Sequence, residues 1–486
     1  MKLFLLLLLI QAVAFNVSGK QADDTLRLTL PQVVAIAKAS SIAAKQALTV
    51  RETNYWKWRT FKSNYQPQLE LAGILPGYNK TYSQVLQPNG TVLFQPIHND
   101  NSSLTLNFSQ QITATGATIY GTTQLQRFDD FDRNTVLYNG IPYGIGLEQP
   151  LFQFNSLKWD KKIEPLKFNE SKQAYIESQE QISVTVTGYF FELLLAQVNL
   201  QIAETNLANT EKILHIANTK FELGKISKNE ILQLQLEQLN SQKAMGTAKR
   251  DMEISTLNLR SYMGLDGDKK IKLDLPISEN EVTVSADKVL TEAFENRSDA
   301  IAFIRRLAEA KRDVAKAKGQ NGLNAKLNAN LGFSNAASNI TDVYRSPKNQ
   351  QSVQLQLTIP ILDWGRSKSR TKTAEANEQF TTYAVEQDKQ IFRQQIVTQV
   401  TLFNMMKEQM VLTAHAERIA AEKYQIARER YVLGDFSITE LSIAFQENDR
   451  AKRDDIASLR DFWGAYYQLR FLSLYDFEKK EKITYK

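Results

Sequence analysis

Two periodicities divide the chain. From Ile182 onward, apolar or small residues step by four and three through Val186, Tyr189, Leu193, Ala196, Leu200, Ala203 and Leu207, and the register resumes at Leu214, Ala217 and Phe221. A heptad-like seam sustained over so many turns predicts a long helix packed along other helices. Elsewhere the period drops to two. Val353, Leu355, Leu357 and Ile359 alternate with Gln354, Gln356 and Thr358, and Leu327, Ala329, Leu331 and Phe333 alternate with Asn328, Asn330 and Gly332. This predicts strands with one aliphatic face and one uncharged amide face. Leu69–Ile74, Leu104–Ile112, Ala117–Leu125 and Tyr143–Leu147 read similarly.

Uninterrupted helices are predicted over Lys158–Glu222 and Arg366–Val432, with Gly188 inside the first tolerated at about 1 kcal/mol. Each would be roughly 100 Å long at 1.5 Å per residue. Shorter helices are expected over Pro31–Asn64 and Ala286–Gly319, about 50 Å each, and return helices over Lys228–Met263 and Ile438–Glu478, roughly 55–60 Å. One short and one return helix together match one long helix. A helical wall with half-height helices stacked beside full-height ones is the economical expectation, with the linker Gly264–Ser285 at mid-height.

The order of elements is written twice. Phe221-Glu222-Leu223-Gly224-Lys225-Ile226-Ser227-Lys228-Asn229-Glu230 matches Tyr431-Val432-Leu433-Gly434-Asp435-Phe436-Ser437-Ile438-Thr439-Glu440 at an offset of 210 residues. The same offset relates Pro150-Leu151-Phe152 to Pro360-Ile361-Leu362, and Lys158 to Lys368. A constant offset over this distance points to duplication. In each turn the glycine suits a left-handed helix end, the serine suits the next N-cap, and Glu230 or Glu440 completes a capping box. The first copy carries an insertion: Pro67 to Pro150 spans 83 positions, against 35 from Ala325 to Pro360. An added hairpin or external loop is expected at about residues 76–135, with the acidic tip Asp129-Asp130-Phe131-Asp132 read as solvated.

Composition narrows the function. Lys2 and the leucine-rich run to Phe15 fit a signal peptide, residues 1–22 with cleavage between 14 and 22, so an exported chain is expected. No later stretch approaches 18 apolar residues, so any return to a membrane would be as β-structure or through a surface. A net charge of +6 without a dense basic cluster argues against nucleic acid. The absence of cysteine excludes disulfides and thiolate chemistry. His98, His215 and His415 lie far apart and read as surface residues, so no metal is expected. No G-x-S-x-G or H-E-x-x-H occurs, and the chain is not expected to be an enzyme or to hold a cofactor.

The duplicated helix–strand–strand–helix–helix order, the junctions Gln149-Pro150-Leu151-Phe152 and Ile359-Pro360-Ile361-Leu362, and the two Leu-Gly-x-x-Ser turns together resemble the TolC-like outer-membrane efflux proteins over essentially the whole mature length. The resemblance implies a mainly α fold with a transmembrane β-barrel portion. It divides the chain into a first repeat, 23–282, and a second, 283–486. It also implies a homotrimer in the outer membrane of a Gram-negative bacterium, most of the chain lying in the periplasm as a tunnel. Its partners would be a periplasmic adaptor and an inner-membrane pump, in an efflux or type I secretion system. Four strands from one chain cannot close a barrel, and eight leave an interior filled by side chains, whereas twelve from three chains leave a lumen. Four strands per chain is the simplest count, and six is the alternative left open by the insertion. A periplasmic adaptor with a structural coiled coil is the competing reading, and a secreted hydrolase a third.

Two sites are expected. Leu223, Gly224, Ser227, Glu230, Leu433, Gly434 and Ser437 would form the adaptor-docking tip, the leucines being more than capping requires. Glu440, six residues after Gly434, would form a charged aperture, as family members place acidic rings six and nine residues after the turn glycine. The ninth position here is Ile443. The bland reading of Glu440 is an N3 capping residue.

Overall fold

The computed structural model describes residues 25–265, 267, 270–276 and 284–485. The expected leader and the boundary between the two copies at 282 lie outside the described residues. In chain order the elements are β1 (Thr25–Leu28), α1 (Leu30–Ser40), α2 (Ile42–Ser63), β2 (Gln68–Ile74), β3 (Tyr78–Leu86), β4 (Val92–Ile112), β5 (Ala117–Asp130) and β6 (Thr135–Leu151). There follow α3 (Ser156–Glu222), α4 (Lys228–Met263), β7 (Lys270–Leu273), α5 (Ala286–Asn296), α6 (Ser298–Asn321), β8 (Asn324–Ala337), α7 (Ile340–Arg345) and β9 (Lys348–Thr358). The chain ends with α8 (Arg366–Leu433), α9 (Ile438–Ser473), β10 (Tyr475–Asp476) and β11 (Glu481–Lys482). Two compact units share them: one holds residues up to Lys45, Gln181–Glu281 and Phe403–Tyr467, and the other holds the rest.

The first unit is helical. Its core is the predicted seam: Ile182, Val186, Leu193, Ala196, Ala203 and Ala217 are buried, together with Phe190, Leu259, Phe403 and Tyr466. β1 and β7 form a parallel pair in register from Thr25–Lys270 to Leu28–Leu273. Gln197 of α3 holds this pair from the side. Its Nε2 donates to the Ile271 carbonyl at 2.7 Å, and its Oε1 accepts from the Leu273 N–H at 3.1 Å. Part of the expected linker is therefore strand. Gly264 ends α4 at φ 67°, and a Cβ there would stand 2.8 Å from the Ser40 carbonyl oxygen, so the turn admits only glycine.

The second unit holds the six-layered meander of strands and the helices beneath it. The sheet order is β2-β4-β5-β6-β8-β9, all antiparallel, with β3 also on β4. β2 faces Ser103–Ser109 and β3 faces Val92–Asp100, so the two lie end to end along one edge of the long β4. The sheet is thus six strand positions wide. The insertion supplies the additional width, because it is long enough to cross the sheet twice more. The register slips in β6 around Pro142, between Ile141 and Gly144 against β5 and between Gly140 and Tyr143 against β8. Pro142 lies in this bulge, where a ladder donor is not needed.

The short helices are each broken where the expectation had one. Ser41 is extended (ψ 152°), and its Oγ accepts from the Ala44 N–H at 3.0 Å to start α2. Arg297 is extended (ψ 146°) because its guanidinium turns inward, donating to the Phe471 carbonyl at 3.1 Å and to Asp299. The next residue, Ser298, donates its N–H to Glu177 at 2.6 Å. α9 stops at Ser473 rather than Glu478: Leu474 takes φ 51°, and Arg470 draws Asp476 to 2.6 Å and Glu180 to 3.2 Å. Pro165, which the expectation of an unbroken helix passes over, sits inside α3 in its early turns.

Candidate functional site

The two turns are near copies in atomic detail. Gly224 and Gly434 stand at φ 68° and 96°, the left-handed region that ends a helix. Lys225 N–H donates back to the Lys220 carbonyl at 2.8 Å, and Asp435 N–H to that of Arg430 at 3.0 Å. Ser227 and Ser437 then each donate a backbone N–H to Glu230 Oε2 and Glu440 Oε2, both at 2.7 Å. The return bonds, Glu230 N–H to Ser227 Oγ and Glu440 N–H to Ser437 Oγ, are 3.3 and 3.2 Å. The backbone and side-chain bonds from Ser437 hold the Glu440 carboxyl below the usual range.

Helix packing brings the turns together at one end of the first unit. Ala217, Ile231 and Leu234 form the core of one hairpin, and Ala427, Tyr431, Leu441 and Ala444 the core of the other; Ile213 and Ile438 pack against both. Lys220 lies over the Tyr431 ring, 5.0 Å from its centroid. Leu223 and Leu433 remain outside this packing, 65% and 77% exposed. Glu440 lines a shallow groove between α8 and α9 with Ile419, Ile426, Phe436 and Ile443. α4 adds an exposed apolar stripe, Leu232, Leu236 and Leu239.

Sequence reasoning passed over a polar seam deeper in the same unit. Asn206 donates to Asp449 Oδ2 at 2.6 Å, Asn209 donates to the Tyr424 hydroxyl at 3.1 Å, and Thr413 and Ser458 share a bond at 2.5 Å. Burial raises the Asp449 carboxyl above its ordinary range, and burial with Glu417 nearby raises Asp455. The available signal was spacing: Asn199 and Asn206 stand seven apart on α3, where Ser183, Thr187 and Thr210 are buried polar residues as well.

The sheet of the second unit sorts its faces as the alternation predicts. On one face lie Leu69 and Leu71, Leu104, Leu106 and Phe108, Ile119 and Leu125, Tyr143, Ile145 and Leu147, Leu327 to Phe333, and Val353, Leu355 and Leu357. Cross-strand registers such as Leu71–Leu106 and Phe108–Gly121–Ile145–Leu331 place these together. Most of these aliphatic side chains are exposed. The opposite face presents Asn328, Asn330, Gln350, Ser352, Gln354 and Gln356, with Asn330 donating to Ser352 Oγ at 2.7 Å. From Ala325 to Phe333 the apolar face runs about 27 Å along the strand at ~3.4 Å per residue, or roughly 20 Å along the membrane normal at the ~35–45° tilt of outer-membrane strands, whose apolar band is ~25 Å tall. The acidic tip is tied up locally: Asp129 pairs with Arg127 at 2.9 Å, and Asp130 accepts from the Asp132 and Arg133 N–H groups.

A family model described as outer membrane efflux protein matches residues 100–265 and 290–472, more than half of the chain and most of both copies. The chain belongs to the outer membrane efflux protein family. No curated protein sequence matches it. Solved outer-membrane channels share the fold of this efflux protein. The outer-membrane channel OprN aligns at 15% identity and TM-score 0.66, covering 91% of this chain and 89% of that one. Campylobacter jejuni CmeC aligns at 15% identity and TM-score 0.65, covering 94% and 87%. VceC from Vibrio cholerae aligns at 15% and 0.64, covering 92% and 95%.

Proposed function

We propose that three copies of this outer-membrane efflux channel close their sheets into one barrel and their helical hairpins into a periplasmic tunnel, forming a passive exit duct. The observation that carries the reading is the sheet. An exposed aliphatic face backed by a polar face rich in uncharged amides suits a wall with lipid on one side and water on the other. Its two outer strands leave backbone donors and acceptors open, which hydrocarbon does not tolerate. One chain therefore needs copies of itself.

In this reading the exposed Leu223 and Leu433 dock a periplasmic adaptor, and the capping geometry of Gly224, Ser227, Glu230, Gly434 and Ser437 holds them at the rim. Glu440 adds a ring of three carboxylates at the aperture. The adaptor in turn joins the duct to an inner-membrane pump. The apolar stripe on α4 is covered by a neighbouring copy.

Outer-membrane fractionation, heat-modifiable migration in detergent gels and conductance in planar bilayers test the duct. The expected outcome is outer-membrane recovery, a trimer that dissociates on heating, and stable single channels. Recovery in the soluble periplasmic fraction without heat-modifiable migration would overturn it.

A further inference from the structure

Every strand position of the sheet bears the lipid-type face, and this bears on how wide the pore is. If only four positions crossed the membrane, the remaining two would be the inserted edge, β2 with β3 and β4. Those strands would then lie outside the barrel, and their sequence would have no reason to match it. Instead, Leu69 and Leu71 on β2, and Leu104, Leu106 and Phe108 on β4, continue the aliphatic face of β6, β8 and β9 in register. The polar face also continues, through Asn107 and Ser109. β4 and β5 are joined by fourteen consecutive paired positions, from Asn99–Asp130 to Ile112–Ala117. Peeling β4 away would break that fourteen-position ladder, which β5 would have to replace with a second copy whose β9 has eleven residues.

We infer that each copy contributes six strands to the barrel, not four, and that β9 of one copy pairs with the β2 edge of a second copy of this chain. The inference rests on the duct reading and deepens it. Direction agrees: each of the five steps from β2 to β9 is antiparallel, so β9 runs opposite to β2 and the seam continues the same antiparallel pattern. Length agrees as well. β9 offers eleven residues, and β2 with β3 offers seven and nine along the other edge. Three copies then build a wall of eighteen strands, the range in which barrels enclose an aqueous channel rather than packed side chains.

The absence of native cysteine makes the seam directly readable. Leu71→Cys is combined in turn with Gln351→Cys, Val353→Cys, Leu355→Cys and Leu357→Cys, and the full-length protein is oxidised in isolated outer membranes. A parallel series replaces Leu71→Cys with Ile119→Cys on β5, the edge that a four-strand wall would expose. Directly opposed side chains on one face have Cβ atoms about 4.5–5.5 Å apart, close enough to cross-link. The expected result is reductant-sensitive dimers and trimers in boiled samples for at least one Leu71 pairing. Leu71→Cys with Gln354→Cys, on the opposite face, and each single variant remain monomeric after boiling.

Cross-linking by the Ile119 series alone would overturn the six-strand wall and leave the duct intact. So would the failure of both series in a protein that is heat-modifiable and outer-membrane bound. Loss of outer-membrane recovery in the unmodified chain would instead remove the duct reading, and the inference with it.

Discussion

Replacing both Leu223 and Leu433 with serine should uncouple the duct from its adaptor while leaving the duct assembled. The magnitude follows from exposure. Full burial of a leucine side chain is worth roughly 1.5–3 kcal/mol, and these two are 65% and 77% exposed in the chain. Docking that covers the exposed part then contributes about 1–2 kcal/mol for each leucine, or ~2–4 kcal/mol per chain, an upper bound because interface area converts to affinity incompletely. That corresponds to roughly a 30- to 1,000-fold weaker dissociation constant. The capping bonds of Ser227 and Ser437 use neither leucine, so folding of the turns should be untouched. The assay is adaptor binding to the immobilised, detergent-purified trimer, with heat-modifiable migration confirming assembly. An affinity within threefold of the parent protein, in a variant that assembles normally, would refute the docking role.

Three further outcomes are expected. Glu440→Gln should reduce cation selectivity in planar bilayers while Glu230→Gln has little effect; equal effects at both positions would leave capping as the only role. Asp449→Asn should raise the melting temperature at neutral pH, since burial raises this carboxyl: its favourable contribution is present in acid and lost as pH rises through the raised value. The gap between variant and parent, read by thermal unfolding at several pH values, should therefore close in acid. Arg470→Met should destabilise by about 3–5 kcal/mol, as it removes the guanidinium that pairs with the fully buried Glu180 and the buried Asp476, and adding Glu180→Gln and Asp476→Asn should recover part of the loss in the same melting assay.

Local patterns carried much of this molecule. The seam from Ile182 to Ala217 is buried as its heptad spacing demands, and the strands around Leu327 and Leu355 pair face to face. Both turns were legible because glycine, serine and glutamate at these intervals satisfy helix ends by local bonds alone. What escaped depends on distant partners. Nothing around Arg297 announces a helix break, since the break is made by Glu177 and Phe471, far away in sequence. Asn206 and Asp449 looked like solvated polar residues until α3 and α9 brought them within 2.6 Å. The width of the sheet was hidden because β2 and β3 share one long neighbour, and Pro76-Gly77 between them reads as a hairpin end.

The amide-lined face of the sheet bears on how cargo leaves. Between Asn328 and Gly332 on β8, and between Gln350 and Gln356 on β9, the residues facing the water side carry no formal charge. Charges on this face stand beside that stretch: Lys326 pairs with Glu148 at 2.6 Å, Lys348 follows Gln350 on the same face of β9, and Glu70 lies on the same face of β2. A solute of either sign meets weak, interchangeable amide groups there, each already well hydrated. On β8 and β9 these amides offer only weak contacts to a molecule in transit. Flux past those two strands should therefore scale with the concentration of solute reaching them and show no saturation there.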